Sequence, residues 1–394
     1  MSKKVYIVAA QRSALTKARK GGFAKKRPDE LLAHVIKETI KISGVNSVDV
    51  GDVVIGCAFP EAEQGLNVAR VASLLAGLPD SVPGMTINRF CSSGLNSIAI
   101  AANAIMNGQY EVAVAGGVES MSLIPMGGNN WNVSPDIFKK DENVAIAFGM
   151  GITAENVAKE WKVSREDQDA FALESNKRAA HAVVSGYFKE QILPIEVIHH
   201  LPDEVNHNIT SKKITIDTDD GIRADTSIDG LSKLRSAFAV NGSVTAGNSS
   251  QMTDGASVLI LVSEDYLKAH NLKPLGRFLS FAVAGVSPRI MGIGPVKAVP
   301  LALAQAGLSL QDIDWIELNE AFAAQSLAVI RDLGLDVNKV NPDGGAIAMG
   351  HPLGATGAVL TTKLLHGLKR TGKRYGLVTM CIGSGMGAAG VFEV

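Results

Sequence analysis

The second half of the chain repeats the first. Residues 44–59, G-V-N-S-V-D-V-G-D-V-V-I-G-C-A-F, lie without gaps on residues 307–322, G-L-S-L-Q-D-I-D-W-I-E-L-N-E-A-F, and their apolar positions largely coincide. Cys91-x-x-Gly94 falls on His351-x-x-Gly354, and the run from Tyr110 to Gly116 falls on that from Tyr375 to Gly383 apart from a small insertion. A repeated unit of this kind must build the same supersecondary structure twice and bury the same faces.

Each copy alternates strand and helix texture. The pattern predicts a strand over 5–9, a helix over 29–42 entered at Pro28, a strand over 53–55 and a helix over 67–75. Residues 85–88 then read as extended, turn helical after Cys91, and lead to a buried strand over 110–115 ending at Gly116 and Gly117. Residues 315–318 and 375–380 are the corresponding strands of the second copy. Such alternation predicts an α/β fold around a mostly parallel sheet. Aromatic residues are only 5%, so the core is built mainly from Val, Ile, Leu and Ala, as buried strands require.

Between the copies the texture changes. Pro, Asn, Asp and Lys become frequent, 121–141 reads as loop, and 153–186 reads as one or two amphipathic helices with Ser164 as a cap. Residues 255–269 return to strand and helix. The 394 residues have room for two or three domains. The expected division is an N-terminal half over 1–119 completed by about 245–270, an inserted region over 120–244, and a C-terminal half over 271–394.

Charge excludes several function classes. Lys plus Arg (38) nearly cancels Asp plus Glu (39), so neither a nucleic-acid surface nor an acidic tail is indicated, and any basic site is local. Three cysteines, Cys57, Cys91 and Cys381, cannot all pair and form no C-x-x-C, which argues against a disulfide framework, a zinc site or any other metal. No apolar run approaches the roughly 18 residues that cross a bilayer. The apolar stretch at 5–10 has the shape of a first strand, not a leader. The expectation is a soluble cytoplasmic protein with free thiols.

Four residues sit where chemistry can be done. Cys91 occupies an extended-to-helical junction, where helix N–H dipoles favour a thiolate and lower its pKa; away from that context it reads as a small buried hydrophobe. His351 lies in G-G-A-I-A-M-G-H-P-L-G-A-T-G, a glycine frame that allows close approach of backbone and ligand but lacks the phosphate-loop lysine. An imidazole so framed suggests acid/base work. Cys381 precedes I-G-S-G-M-G, a turn whose N–H groups are free to form an oxyanion site. Asn319 ends the 315–318 strand and either orients a water or caps a helix starting at Glu320. In a parallel sheet these strand ends share one side, where α/β proteins bind ligands. Cys57 has no evident partner and reads as structural.

The sequence then resembles the thiolase family over nearly its whole length. Six motifs appear in that family's order: N-R-F-C-S-S-G at 88–94, G-G-V-E-S-M-S at 116–122, M-G-x-T-A-E at 150–155, N-E-A-F at 319–322, G-H-P-x-G at 350–354 and C-I-G-S-G-M-G at 381–387. The resemblance implies a duplicated fold with a five-layer α-β-α-β-α core and an inserted loop domain over the coenzyme A site. It also implies an acyltransferase cycle that cleaves 3-ketoacyl-CoA, with Cys91 as nucleophile, His351 assisting, and Cys381 as the acid/base. Asn319 would hold a water, and the N–H groups of Cys91 and Gly383 would bind the acyl oxygen. Ser250, Met150 and Arg223 match residues that meet coenzyme A.

The implied coenzyme A is a substrate, with no tightly bound cofactor. The implied partners are acyl-CoA, a second copy in a homodimer or a dimer of dimers, and a β-oxidation hydratase/dehydrogenase subunit. Gly149 and N-S-S-Q at 248–251 resemble degradative members rather than short-chain biosynthetic ones. Ser384 departs from the family's usual glycine. The alternatives are an acetoacetyl-CoA thiolase working in condensation and a non-catalytic acyl-CoA-binding module; the presence of all four catalytic residues argues against the second.

Overall fold

The computed structural model describes residues 3–203 and 205–394. The first half contains β1 (Val5–Arg12), the short β2 (Thr16–Lys17), α1 (Pro28–Ser43), β3 (Asp52–Gly56), α2 (Val68–Leu75), β4 (Gly84–Ile87), α3 (Ser93–Met106) and β5 (Val112–Ser120). Helices α4 (Met150–Glu160) and α5 (Arg165–Val184), the hairpin β6 (Ile195–Asp203) and β7 (Asn208–Ile216), and α6 (Ile228–Ser232) follow. β8 (Thr253–Ser263) and α7 (Glu264–Ala269) then return to the first sheet. The second half contains β9 (Gly276–Gly285), α8 (Gly294–Ala306), β10 (Trp315–Leu318), α9 (Ala323–Leu333), α10 (Ala346–Met349), α11 (Leu353–Thr371), β11 (Tyr375–Ile382) and β12 (Met386–Glu393).

Strand order shows the repeat directly. The first half runs β4-β3-β5-β8-β1 and the second β10-β11-β12-β9, so β3, β5, β8 and β1 correspond to β10, β11, β12 and β9. The pairings match as well: β3–β5 and β10–β11 are parallel, while β5–β8, β8–β1, β11–β12 and β12–β9 are antiparallel. A parallel bridge from Ile316 to Val340 stands where β4 stands in the first half. Gly44 and Gly307, equated in the sequence, end α1 and α8 in the same left-handed conformation. The sheet is therefore mixed, not mostly parallel. β12 follows β11 through a three-residue turn, and so short a connection allows only antiparallel pairing.

Period-two alternation assigns each strand face to a layer. Val53, Val112, Val114, Val258 and Ile260 face α1 and α2, whereas Val54, Ala113, Ala115, Leu259 and Leu261 face α3 and α11. In the second half Leu377 and Val391 face α8, while Val378 and Phe392 face the central helices. The result is the five-layer α-β-α-β-α core, with α3 and α11 between the two halves of one continuous sheet that β1 and β9 join.

Those two helices are buried on nearly every face, with only Asn103 of α3 and the last three residues of α11 exposed. They cross at glycines: a Cβ on Gly94 would come within 2.8 Å of the Ala358 nitrogen, and one on Gly357 would collide with the Leu95 backbone. Lys363 of α11 is buried and neutralised by Glu317 of β10 at 2.8 Å. The crossing brings the N-termini of α3 and α11, which follow Cys91 and His351, into one layer.

Candidate active site

Cys91 lies in a single 3-10 turn, Phe90–Ser92, that runs into α3. Phe90 has φ 43°, a left-handed conformation that costs a bulky residue about 1–3 kcal/mol and marks functional turns. The motif residues hold that turn. Phe90 N donates to Asn88 Oδ1 at 2.8 Å, Asn88 Nδ2 to Ala58 O at 2.9 Å, and Ser93 Oγ to Phe90 O at 2.7 Å. The thiol is buried among Ala58, Met121 and Leu353, with Ala18, Phe59 and Phe90 packed around them.

Burial decides the acidity of Cys91. Desolvation pushes the thiol up to about 11, while N–H groups of Gly383 and of Cys91 itself pull down and the Glu119 carboxyl pushes further up. The expected thiolate-favouring effect of the helix start is thus overridden, since the sulfur loses more solvation than the N–H dipoles return. At neutral pH Cys91 is a thiol and needs a base.

Cys381 sits on β11 opposite Gly387, two residues before the Gly383–Ser384–Gly385 turn. It packs with Ala154, Val244, Ala321 and Phe322, and Met150 lies against this cluster. Burial raises its pKa first and the charge of nearby Cys91 second, so the two sulfurs feel each other. A Cβ on Gly383 would touch Phe90 at 3.8 Å and Met150 Sδ at 3.9 Å, which joins the turn to the Cys91 side. Ser384 adopts φ 66°, in the left-handed region that favours glycine.

His351 bridges to Met252, with its backbone N–H donating to Gln251 O at 3.1 Å. Its Nδ1 lies 2.6 Å from Thr356 Oγ1 and its Nε2 lies 3.4 Å from Asn319 Nδ2. With the amide nitrogen facing it, Nε2 is the acceptor and Nδ1 carries the hydrogen toward Thr356. Burial lowers the imidazole to about 4, so it is neutral and able to take a proton. Asn319 is not a helix cap: α9 begins at Ala323, and Asn319 Oδ1 is buried with no partner. An orphaned acceptor beside His351 suits a bound water or a donor group.

Ser250 pairs its N–H with Ala321 O at 2.9 Å, beside the Cys381 cluster, and Met150 opens α4 next to the same turn. Arg223 is exposed; its backbone N–H donates to Asn176 Oδ1 at 3.1 Å, and its guanidinium makes no ion pair among the described residues. Thus Cys91, Cys381, Gly383, His351, Asn319, Met150 and Ser250 gather in one region, while Arg223 touches none of them.

Sequence reasoning missed several neighbours. Cys57 does have a partner, Glu119 Oε1 at 3.8 Å from its sulfur. Glu119 is buried behind the site, Thr356 orients His351, and Glu320 accepts from Ser175 Oγ at 2.6 Å and Asn341 Nδ2 at 2.7 Å. The available signal was a carboxylate inside an otherwise small and apolar motif, G-G-V-E-S and N-E-A-F. Among the described residues, no cluster of His, Cys, Asp and Glu could hold a metal, and no helix is long and apolar enough to cross a membrane.

Known proteins match this chain over its whole length. Residues 5–265 match the family model described as "Thiolase, N-terminal domain" and residues 272–394 the one described as "Thiolase, C-terminal domain". A Bacillus subtilis (strain 168) protein named 3-ketoacyl-CoA thiolase is 53% identical over 392 residues, covering 100% of both chains. The human protein named 3-ketoacyl-CoA thiolase, peroxisomal, is 45% identical over 99% of this chain and 90% of its own. The crystal structure of the Bacillus anthracis acetyl-CoA acetyltransferase superposes with a TM-score of 0.89 at 40% identity, covering 100% of this chain and 99% of that one. With both family domains matched and full-length relatives at this identity, the chain belongs to the thiolase family.

Proposed function

We propose that the protein is a degradative 3-ketoacyl-CoA thiolase, an acyltransferase that cleaves 3-ketoacyl-CoA with coenzyme A to acetyl-CoA and a shortened acyl-CoA. One observation carries this reading: two buried thiols within electrostatic reach, one receiving the Gly383 N–H, beside a neutral imidazole bonded to Asn319. Cys91 Sγ attacks the keto carbon as its proton passes to His351. The bond between C2 and C3 breaks, its electron pair leaves as the enolate of acetyl-CoA, and the Cys381 thiol protonates C2. The resulting Cys381 thiolate takes the proton of incoming coenzyme A, whose sulfur attacks the acyl-Cys91 thioester. Cys91 leaves and recovers its proton from His351.

The N–H groups of Cys91 and Gly383, already directed at Sγ, serve the oxygen of the acylated carbon. His351 and a water on Asn319 Oδ1 serve the enolate oxygen. Residues 120–244 form the loop domain over coenzyme A, with Met150 and Ser250 along the pantetheine arm and Arg223 near the phosphates. Coenzyme A acts as a substrate, and the chemistry uses no resident cofactor.

The same reading takes the protein as a cytoplasmic homodimer, alone or as a dimer of dimers, acting beside a hydratase/dehydrogenase subunit in β-oxidation. Support for pairing comes from β4, an end strand of the sheet whose Met85, and the Leu74 and Leu75 of the adjoining α2, are exposed. Met121 packs against Cys91 and Met150 against the Cys381 cluster, and these adaptable side chains suit a longer acyl group.

Steady-state thiolysis of a 3-ketoacyl-CoA series, from acetoacetyl-CoA to 3-ketopalmitoyl-CoA, tests the reading. Each added methylene should raise kcat/KM, by up to about 0.8 kcal/mol when fully buried, until the pocket ends. Activity that falls beyond acetoacetyl-CoA would instead support the acetoacetyl-CoA thiolase that the B. anthracis neighbour's name suggests.

A further inference from the structure

Glu119 closes β5, and its side chain crosses the seam between the two halves. Oε2 accepts from Ala58 N and from Gly354 N, each at 2.8 Å. Oε1 accepts from Gln64 Nε2 at 2.5 Å and Phe59 N at 3.3 Å, with Cys57 Sγ at 3.8 Å. The Gln64 amide is oriented by Ser120 N, which donates to its oxygen at 2.9 Å. Ala58 and Phe59 belong to the wall around Cys91, and Gly354 lies in the first turn of α11, three residues after His351. The fit is close: a Cβ on Gly354 would lie 2.6 Å from Ala58 N and 2.8 Å from Glu119 Oε2.

Four of the five groups that touch the two oxygens are N–H donors, which cannot accept a proton carried on either, and the fifth, the Cys57 thiol, is only a weak acceptor. Burial is the larger effect and leaves the carboxyl above its usual range, while the donors offset part of that rise; it is the donor geometry, with the N-terminus of the 19-residue α11 adding its dipole, that suits a carboxylate here. Among the described residues no Lys, Arg or His pairs with it. The titratable neighbours are Cys57 and Cys91 on the Glu119 side, and Cys381 on the far side of Cys91.

We propose that Glu119 is a positioning residue for this reaction: one buried carboxylate locks the wall of the Cys91 pocket to the first turn of the His351 helix and holds a fixed negative charge beside the nucleophile. The inference rests on the thiolase reading of the site. Glu119 touches no reacting atom; it sets the register between nucleophile and base, which come from different halves. It also keeps Cys91 protonated until His351 takes the proton, since a nearby anion disfavours the thiolate.

Two variants separate reach from charge. Glu119→Gln keeps the shape and removes the charge; Glu119→Asp keeps the charge and withdraws it by one methylene. The readouts are kcat and KM for thiolysis, and the pH midpoint of Cys91 alkylation by iodoacetamide, mapped by mass spectrometry. Both variants should lose about a hundredfold in kcat, the scale of a 1 Å misplacement, with KM for coenzyme A held. The Gln variant should also move the alkylation midpoint down by roughly half a pH unit or more, and the Asp variant should not. Either folded variant within threefold of wild-type kcat, or a Gln variant whose midpoint stays put, overturns the proposal. If the Gln variant does not fold, the Asp variant and its kcat decide. A wild-type protein that alkylates at Cys91 but thiolyses nothing would sink the functional reading and leave the alkylation arm intact.

Discussion

His351 and Cys91 show how burial sets acid–base character before substrate arrives. An imidazole near 4 beside a thiol near 11 means that the resting pair is neutral, so in the proposed cycle proton transfer accompanies attack instead of preceding it. The depressed histidine also links pH to stability. Unfolded, His351 binds a proton below about 6.5; folded, it does so only below about 4, so the unfolded chain holds more protons in that window. Its contribution is therefore present at neutral pH and lost as pH falls from about 6.5 toward 4, up to about 3 kcal/mol. Urea unfolding of His351→Asn should show a correspondingly shallower loss between pH 7 and pH 4.5 than wild type, and equal slopes would contradict the assignment. The residue types at this site were legible: Cys91, His351 and Cys381 stand at junctions and glycine turns that position side chains. Their acidities were not, because desolvation depends on what packs around the sulfur, and Met121 and Ala18 come from distant segments.

At the scale of elements, the glycine crossing of α3 and α11 fixes the spacing of the nucleophile and base helices. Gly357→Ala should force the helices apart against the Leu95 backbone and cost about 1–3 kcal/mol of stability by denaturant titration, as overpacking does. A variant as stable as wild type would show that the helices have slack. Periodicity and caps revealed most elements, because α1, α2 and β10 carry their own signals: Pro28, Asn67 as an N-cap, and a bounded apolar run. Strand direction was not legible, since it follows from connection length and not from side chains. Nor was the extent of β5, which runs through Gly116 and Gly117 to Ser120; a Cβ on Gly117 would press on Ala355 at 2.8 Å. There the glycines serve close approach rather than a strand end.

For the whole molecule, duplication draws Cys91 from one half and His351 from the other, so the proposed reaction needs both halves. In the proposed function residues 120–244 bring Met150 and Arg223 to coenzyme A, and with a nearly balanced total charge only local cations can meet phosphates. Arg223→Ala should raise KM for coenzyme A severalfold with kcat little changed, the pattern for binding made equally in ground and transition states. An unchanged KM at low ionic strength would remove Arg223 from the site. The duplication was legible in the gapless register of 44–59 on 307–322; the Glu119 seam was not, because it depends on a contact between β5 and α11, far apart in sequence. The central claim is that acyl transfer runs through Cys91. Incubating the protein with an acyl-CoA, trapping with acid and mapping the adduct by mass spectrometry tests it most directly. The account predicts an acyl thioester on Cys91 that coenzyme A removes and that still forms in Cys381→Ala; a label on Cys381 or Cys57, or none at all, would contradict it.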